Sequence, residues 1–139
     1  MVILTEKTTI STLVSLAKPI NLPASAKTVV KKKNALLIIP DSGKKILLFP
    51  TDSDTVVKIS LELRSKGLSP LFFNEVGRIT KGDLGVEILY TSGLCFAEEK
   101  CVWDGFFEEA AKFKNPDDIK KKFQGIDGVN SVSIEFVKL

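Results

Sequence analysis

The chain has no histidine among its 139 residues. Histidine is the usual general base, the commonest metal ligand and the side chain that titrates near neutral pH. Its absence excludes Ser–His and Cys–His nucleophile pairs and all zinc sites that contain histidine. A catalyst here would have to use carboxylates, lysines or thiols, and the sequence shows no complete set of them. We therefore expect a protein without catalysis.

Cysteines and phosphate-binding motifs are equally scarce. Two cysteines cannot complete a four-thiolate zinc site. The sequence contains no P-loop lysine motif and no glycine fingerprint of a dinucleotide site. We predict neither a metal ion nor a cofactor.

Long apolar runs are also missing. The longest run, residues 35–39, ends at Pro40 and is far shorter than the roughly 20 residues of a membrane helix. Residues 1–6 lack the basic stretch and apolar core of a secretory signal. We expect a cytoplasmic protein that makes no membrane contact and whose two thiols stay reduced.

The residues that are present favour one globular domain over residues 1–139. Hydrophobic residues make up 44% of the chain and charged residues 27%. That is enough apolar material for a core, and the charges are too balanced for intrinsic disorder. Eighteen of the twenty basic residues are lysine, a bias typical of thermophile proteins.

A β-hairpin is the first element that the sequence predicts. Strands at residues 35–39 and 45–49 flank a turn in which Pro40 and Gly43 favour the reversal of the chain. Both strands are apolar at consecutive positions, which indicates that they are covered on both faces and lie centrally in a sheet. Residues 28–31 predict a preceding strand of the same meander.

A helix is predicted at residues 52–66, before Gly67. Val56, Ile59 and Leu63 recur at helical spacing after an acidic capping pattern. Further helices are predicted after Asp104 and Asn115. Residues 8–18 fit either a helix or a strand, and we favour the helix although five threonines and serines lower its propensity.

Together these patterns predict an α+β fold with a mostly antiparallel sheet. The predicted strands lie near residues 28–31, 35–39, 45–49, 71–73, 77–80, 86–91, 94–97 and 132–137, and the helices near 8–18, 52–66, 104–114 and 116–124. This order is similar to that of the roadblock and longin type of small dimerising modules, and its final helix, loop and strand resemble the end of a ferredoxin-like unit. Both are likenesses of fold and imply no site.

Three aromatic residues form a candidate interaction site: Trp103, Phe106 and Phe107. On the predicted helix, Phe106 and Phe107 diverge by about 100° and cannot both face one core. One of them needs another partner, which is either the carboxy-terminal helix of the same chain or a second protein.

The lysine clusters Lys31, Lys32, Lys33 and Lys44, Lys45 are candidate nucleic-acid contacts if they share one rim of the meander. A net charge of +3 and a single tryptophan and tyrosine argue for an ordinary charged surface instead.

Cys95 and Cys101 are a candidate redox pair. If Phe96 pairs with Lys100, the two cysteines lie directly opposite and can form a disulfide; a register shifted by one residue points them to opposite faces. The alternative is a pair of buried, reduced thiols.

The function that these features favour is protein–protein interaction or assembly without catalysis, with a second copy or another protein as partner. Nucleic-acid binding through the lysine clusters is the alternative. A thiol switch, or an enzyme without histidine, is the third reading.

Overall fold

The computed structural model describes residues 9–40, 43–64, 67–96 and 100–139. It confirms the α+β class: the described residues form two antiparallel sheets and two α-helices. The strands are β1 (Asn34–Ile38), β2 (Leu47–Thr51), β3 (Thr55–Arg64), β4 (Ile88–Phe96), β5 (Lys100–Phe107) and β6 (Val129–Lys138). The α-helices are α1 (Pro70–Gly77) and α2 (Pro116–Gln124). Two 3₁₀ helices (Ala24–Thr28 and Ala110–Lys112) and one π-helix (Arg78–Leu84) complete the regular elements.

The larger sheet has the strand order β4-β5-β3-β6, with every neighbouring pair antiparallel. In sequence its elements run β3, α1, β4, β5, α2, β6. The parallel strands β3 and β4 are therefore separated by β5, which is the split β-α-β topology called ferredoxin-like. Both helices pack on one face of this sheet, burying Phe72 and Val76 of α1 and Ile119 and Phe123 of α2. We call the cluster between them and the sheet the main core.

Strand β3 occupies the range in which the sequence predicted a helix, and that prediction at residues 52–66 was wrong. The four side chains that β3 buries in the main core alternate with Lys58, Ser60, Glu62 and Arg64. They are Val57, Ile59, Leu61 and Leu63, each 0% exposed. This strict period of two outweighs the partial match to helical spacing, because every second residue of a strand faces the same side. Residues 65–66 lie outside the described residues.

Helix α1 and the π-helix that follows it replace two predicted strands, at residues 71–73 and 77–80. Ser69 caps it, its Oγ accepting a hydrogen bond from the Phe72 N–H at 3.2 Å, and Pro70 takes the first helical position. Serine followed by proline is a strong helix start. Phe72 and Val76 then recur one turn apart and both enter the main core. The apolar run at residues 71–73 is short enough to fit a strand or a helix, and the Ser69 cap favours the helix.

Strand β5 also runs through a predicted helix, and the prediction of a helix at residues 104–114 was wrong. The strand continues to Phe107, and the only helical residues that the structure describes within the predicted range are Ala110–Lys112. The other carboxy-terminal elements agree with prediction: α2 forms at 116–124, and β6 includes 132–137. The strands predicted at 86–91 and 94–97 form the single strand β4 from Ile88 onward; residues 86–87 precede it, and residue 97 lies outside the described residues.

The amino-terminal stretch is less regular than predicted. Residues 9–18 form no helix, and residue 8 lies outside the described residues. The predicted strand at 28–31 is absent as well, since a 3₁₀ helix ends at Thr28 and no regular element follows before β1. The predicted hairpin is present as β1 and β2, but it forms a separate two-stranded sheet instead of the centre of a larger one.

The packing of β5 yields a stability prediction with a matched control. The Trp103 ring lies over Gly105, so a Cβ there would collide with the ring edge. We expect Gly105→Ala to lower the free energy of unfolding by about 1–3 kcal/mol through overpacking. Gly77 has helical angles (φ −61°) and no atom within 4 Å of an added Cβ, so Gly77→Ala should be neutral or stabilise by up to about 1 kcal/mol. Urea denaturation of both variants measures this, and equal effects would contradict the packing described.

Candidate interaction site

The β1–β2 hairpin has two apolar faces because its strands are apolar at consecutive positions. Its register pairs Leu36 with Phe49, Leu37 with Leu48 and Ile38 with Leu47. The turn is closed by a 2.8 Å hydrogen bond from the Gly43 N–H to the Pro40 carbonyl, and Gly43 adopts the positive φ of 64° that glycine tolerates best. Residues 41–42 of the turn lie outside the described residues. Alternate residues of each strand therefore face opposite sides of the hairpin.

The inner face packs on the larger sheet, on the side away from the two helices. Leu36 is 6% exposed and belongs to a second cluster that includes Val56 and Phe106, with Ile38, Phe49 and Tyr90 around it. The Phe49 and Tyr90 rings stack with centroids 4.4 Å apart. This cluster holds the hairpin against one end of that face of the sheet.

The outer face is apolar and exposed. We define it as the three cross-strand pairs on the opposite side of the hairpin, in which Ile39 and Ile46 extend the register by one pair: Ala35 with Pro50, Leu37 with Leu48, and Ile39 with Ile46. The exposed fractions are 54% for Leu37, 50% for Leu48, 59% for Ile39 and 44% for Ile46. A contiguous exposed apolar surface of this kind marks an interaction site more often than scattered single residues do.

Polar contacts fix the open end of the hairpin to the start of β3. The Asp52 carboxylate accepts a hydrogen bond from the Lys33 N–H at 3.2 Å and lies 3.3 Å from the Lys32 ammonium. The backbone hydrogen bond, followed by the lysine charges, holds the pKa of Asp52 below its usual 3.8. The Asn34 amide donates to the Ser53 carbonyl at 3.1 Å. The hairpin is thus anchored by groups that leave the outer face free of polar side chains.

Basic residues outnumber acidic ones in the part of the chain that contains the outer face. Residues 1–51 carry eight basic and two acidic residues, whereas residues 52–139 carry twelve basic and fifteen acidic ones. The Lys31–Lys33 cluster lies at the open end of the hairpin and Lys44 and Lys45 lie at the turn end, with all five side chains exposed. At about 3.3 Å per residue the clusters are about 20 Å apart. The structure therefore places these lysines at both ends of the outer face instead of on one rim.

The aromatic candidates Trp103, Phe106 and Phe107 lie in the interior, with exposed fractions of 1%, 7% and 0%. They occupy a strand, so Phe106 and Phe107 point to opposite faces of the sheet. Phe107 enters the main core beside Phe113, at 5.5 Å between ring centroids, and Phe106 enters the second cluster. The additional partner of Phe106 is the β1–β2 hairpin, whereas the sequence predicted the carboxy-terminal helix or a second protein.

The cysteine candidates are joined. Phe96 pairs with Lys100, so Cys95 and Cys101 lie directly opposite, with their Cα atoms 4.0 Å apart, and form a disulfide. The chain thus carries a disulfide where reduced thiols were predicted. Only Cys101 is buried, at 2% exposed, while Cys95 is exposed.

Further ion pairs involve the helical elements. Asp83 of the π-helix contacts Lys122 of α2 at 3.2 Å and Arg78 of its own helix at 3.4 Å. In the part of the chain that the structure describes, no three acidic or cysteine residues come close enough to share a metal ion. Glu98 and Glu99 lie outside that part.

No helix among the described residues is long and apolar enough to cross a membrane.

Comparison of the chain with protein-family models found no match, and comparison with curated proteins found none either. The outer face of the hairpin is therefore a candidate interaction site on the basis of its geometry alone. The sequence predicted these residues as apolar strands, but with both faces of the hairpin covered. The signal that points to exposure is the lysine-rich sequence on both sides of the pair of strands.

Phe106 provides a test of how the hairpin is attached. We expect Phe106→Ala to lower the free energy of unfolding by about 3 kcal/mol and to speed amide hydrogen exchange in β1 and β2 more than in β6, because the second cluster loses its most buried ring. Phe136→Ala, at a ring that is 37% exposed, is the control and should cost less, about 1–2 kcal/mol. Equal costs for the two variants would contradict the attachment.

Proposed function

We propose that this chain is a protein-interaction module that binds its partner through the outer face of the β1–β2 hairpin. The observation that supports the proposal is the exposure of six apolar residues on one side of a small sheet whose other side is packed. Leu37, Ile39, Ile46 and Leu48 are each about half exposed. Burial of the exposed half contributes about 1 kcal/mol for each of them. The sum for the four residues is enough to stabilise a complex in which polar groups at the edge of the contact fix the orientation of the partner.

The charges around the outer face select the chemistry of the partner. Lysines lie at both ends of the face. Two copies joined face to face would bring lysines against lysines in either relative orientation, which is unfavourable. An apolar segment of another protein, with carboxylates on both sides of it, complements both the apolar surface and the lysines at its two ends. We take such a segment as the partner.

The disulfide is relevant to the cellular compartment of the protein. Cytosolic proteins seldom keep a disulfide, but the intracellular proteins of hyperthermophiles do. A cytoplasmic protein of a thermophile, as the lysine-rich composition suggests, is consistent with both features. We therefore propose a cytoplasmic location.

The outer face can be tested with peptides selected from a phage-displayed random library. Wild-type protein serves as bait, and the double variant Leu37→Asn with Leu48→Asn serves for counter-selection. We expect selected peptides that combine an apolar centre with Asp or Glu on both sides. In fluorescence polarisation the double variant should bind them at least tenfold more weakly, because its central pair no longer buries apolar surface.

Leu71→Asn is the matched control for this experiment. Leu71 is 67% exposed on α1, on the opposite side of the larger sheet. Its replacement should leave peptide affinity unchanged, and urea denaturation should show that every variant is folded. Peptides that bind wild type and double variant equally, or selection of basic peptides, would overturn the proposal. Concentration-dependent self-association abolished by the double variant would assign the face to a second copy instead.

Nucleic acid is the second candidate, and the basic amino-terminal third favours it. We expect any such binding to be electrostatic and weak. If Lys31, Lys32 and Lys33 all contact phosphates of a single-stranded DNA 20-mer, their replacement by alanine should reduce the slope of log K against log salt by about 2. Fluorescence anisotropy between 50 and 200 mM salt measures this. Failure to bind at 50 mM salt would remove the candidate, and an unchanged slope would remove these lysines from it.

A further inference from the structure

The disulfide between Cys95 and Cys101 is asymmetric in its exposure. Cys101 lies on β5, between the edge strand β4 and the central strand β3, and its side chain is part of the main core. Cys95 lies on β4, in a stretch from Thr91 to Phe96 in which every residue is exposed. One cysteine of the bond therefore belongs to the interior and the other to the surface.

We propose that this bond is a site of thiol–disulfide exchange, at which a low-molecular-mass thiol attaches to Cys95. A thiolate attacks a disulfide in line with the bond, from the side opposite to the sulfur that leaves. Attack on Cys101 would require the thiolate to approach from within the main core. Attack on Cys95 requires an approach from the exposed side of β4. The position of the bond in the sheet thus directs the thiol to Cys95.

The reaction is balanced and needs no oxidant. The incoming thiolate forms a bond to Sγ of Cys95, the Cys95–Cys101 bond breaks, and its electron pair moves to Sγ of Cys101. The proton that the incoming thiol released is taken up by the Cys101 sulfur, since an apolar interior disfavours a thiolate. The products are a mixed disulfide on Cys95 and a buried thiol at Cys101. Because that thiol stays next to Cys95, it can expel the added thiol again, and the modification is reversible.

This site is separate from the proposed docking surface. The β4 strand pairs with β5 along its length, so opening the disulfide leaves the strand hydrogen-bonded in place. Cys95 is near the end of β4 that carries Phe96, whereas Phe106 and Tyr90, which support the hairpin, lie near the other end. The two proposals can therefore fail independently.

The experiment uses the folded full chain in a buffer of reduced and oxidised glutathione. After an acid quench, the protein is unfolded, free thiols are alkylated, and trypsin is added. Cleavage after Lys100 places the two cysteines in different peptides, residues 82–100 and 101–112. We expect glutathione on the peptide of residues 82–100 at a level at least tenfold higher than on the peptide of residues 101–112, which should carry the alkylated thiol.

Two controls complete the test. In 6 M guanidinium chloride both sulfurs are accessible, and the preference for Cys95 should fall to less than threefold. With single-cysteine variants and oxidised glutathione, Cys101→Ser should be modified at Cys95 while folded, and Cys95→Ser should stay unmodified until it unfolds. Equal labelling of both peptides in the folded protein, labelling mainly of Cys101, or no adduct until the protein unfolds would overturn the proposal. A native intact mass equal to that of the dithiol form would overturn it as well.

Discussion

The packing of alternate apolar side chains from β3 into a dry interior is the interaction on which the rest of the structure depends. This strand pairs with β5 on one side and β6 on the other, so both of its edges are hydrogen-bonded. Val57, Ile59, Leu61 and Leu63 line the sheet face that both helices cover. Because every second residue of a strand faces one side, this row fixes the registers of its neighbours.

The opposite face of the sheet is covered differently. The hairpin packs on one end of it, around Val56 and Phe106, whereas Leu94 and Phe96 at the opposite end stay exposed. Farther along β3 this face carries Ser60 and Glu62, whose side chains hydrogen-bond to Asp104 and form an ion pair with Lys100, respectively. A small two-stranded sheet has two faces and only one place to bury apolar side chains. Its second apolar face is therefore left exposed, which is the physical basis for proposing that a partner covers it.

The outer face of the hairpin and the disulfide are exposed for two different reasons. The hairpin exposes side chains because its outer face has no layer above it in the described chain. Strand β4 exposes Cys95 because it lies at the edge of the sheet, beyond the helices that bury Cys101. Both sites follow from position in the sheet, and neither uses a motif that a sequence search would detect.

The sequence by itself determined the α+β class, the hairpin, the last helix and the last strand, because each has a local signal: turn residues, the Asn115-Pro116 helix start, and strict alternation at the carboxy terminus. Residues 55–64 and 70–77 each match both periods in part, and strict alternation in the first and the Ser69-Pro70 helix start in the second are the local signals that separate strand from helix. Only the tertiary structure decided which side of the hairpin is covered, and which cysteine is buried. Those outcomes depend on strand order and register, which bring together residues far apart in sequence, and local patterns carry no information on either.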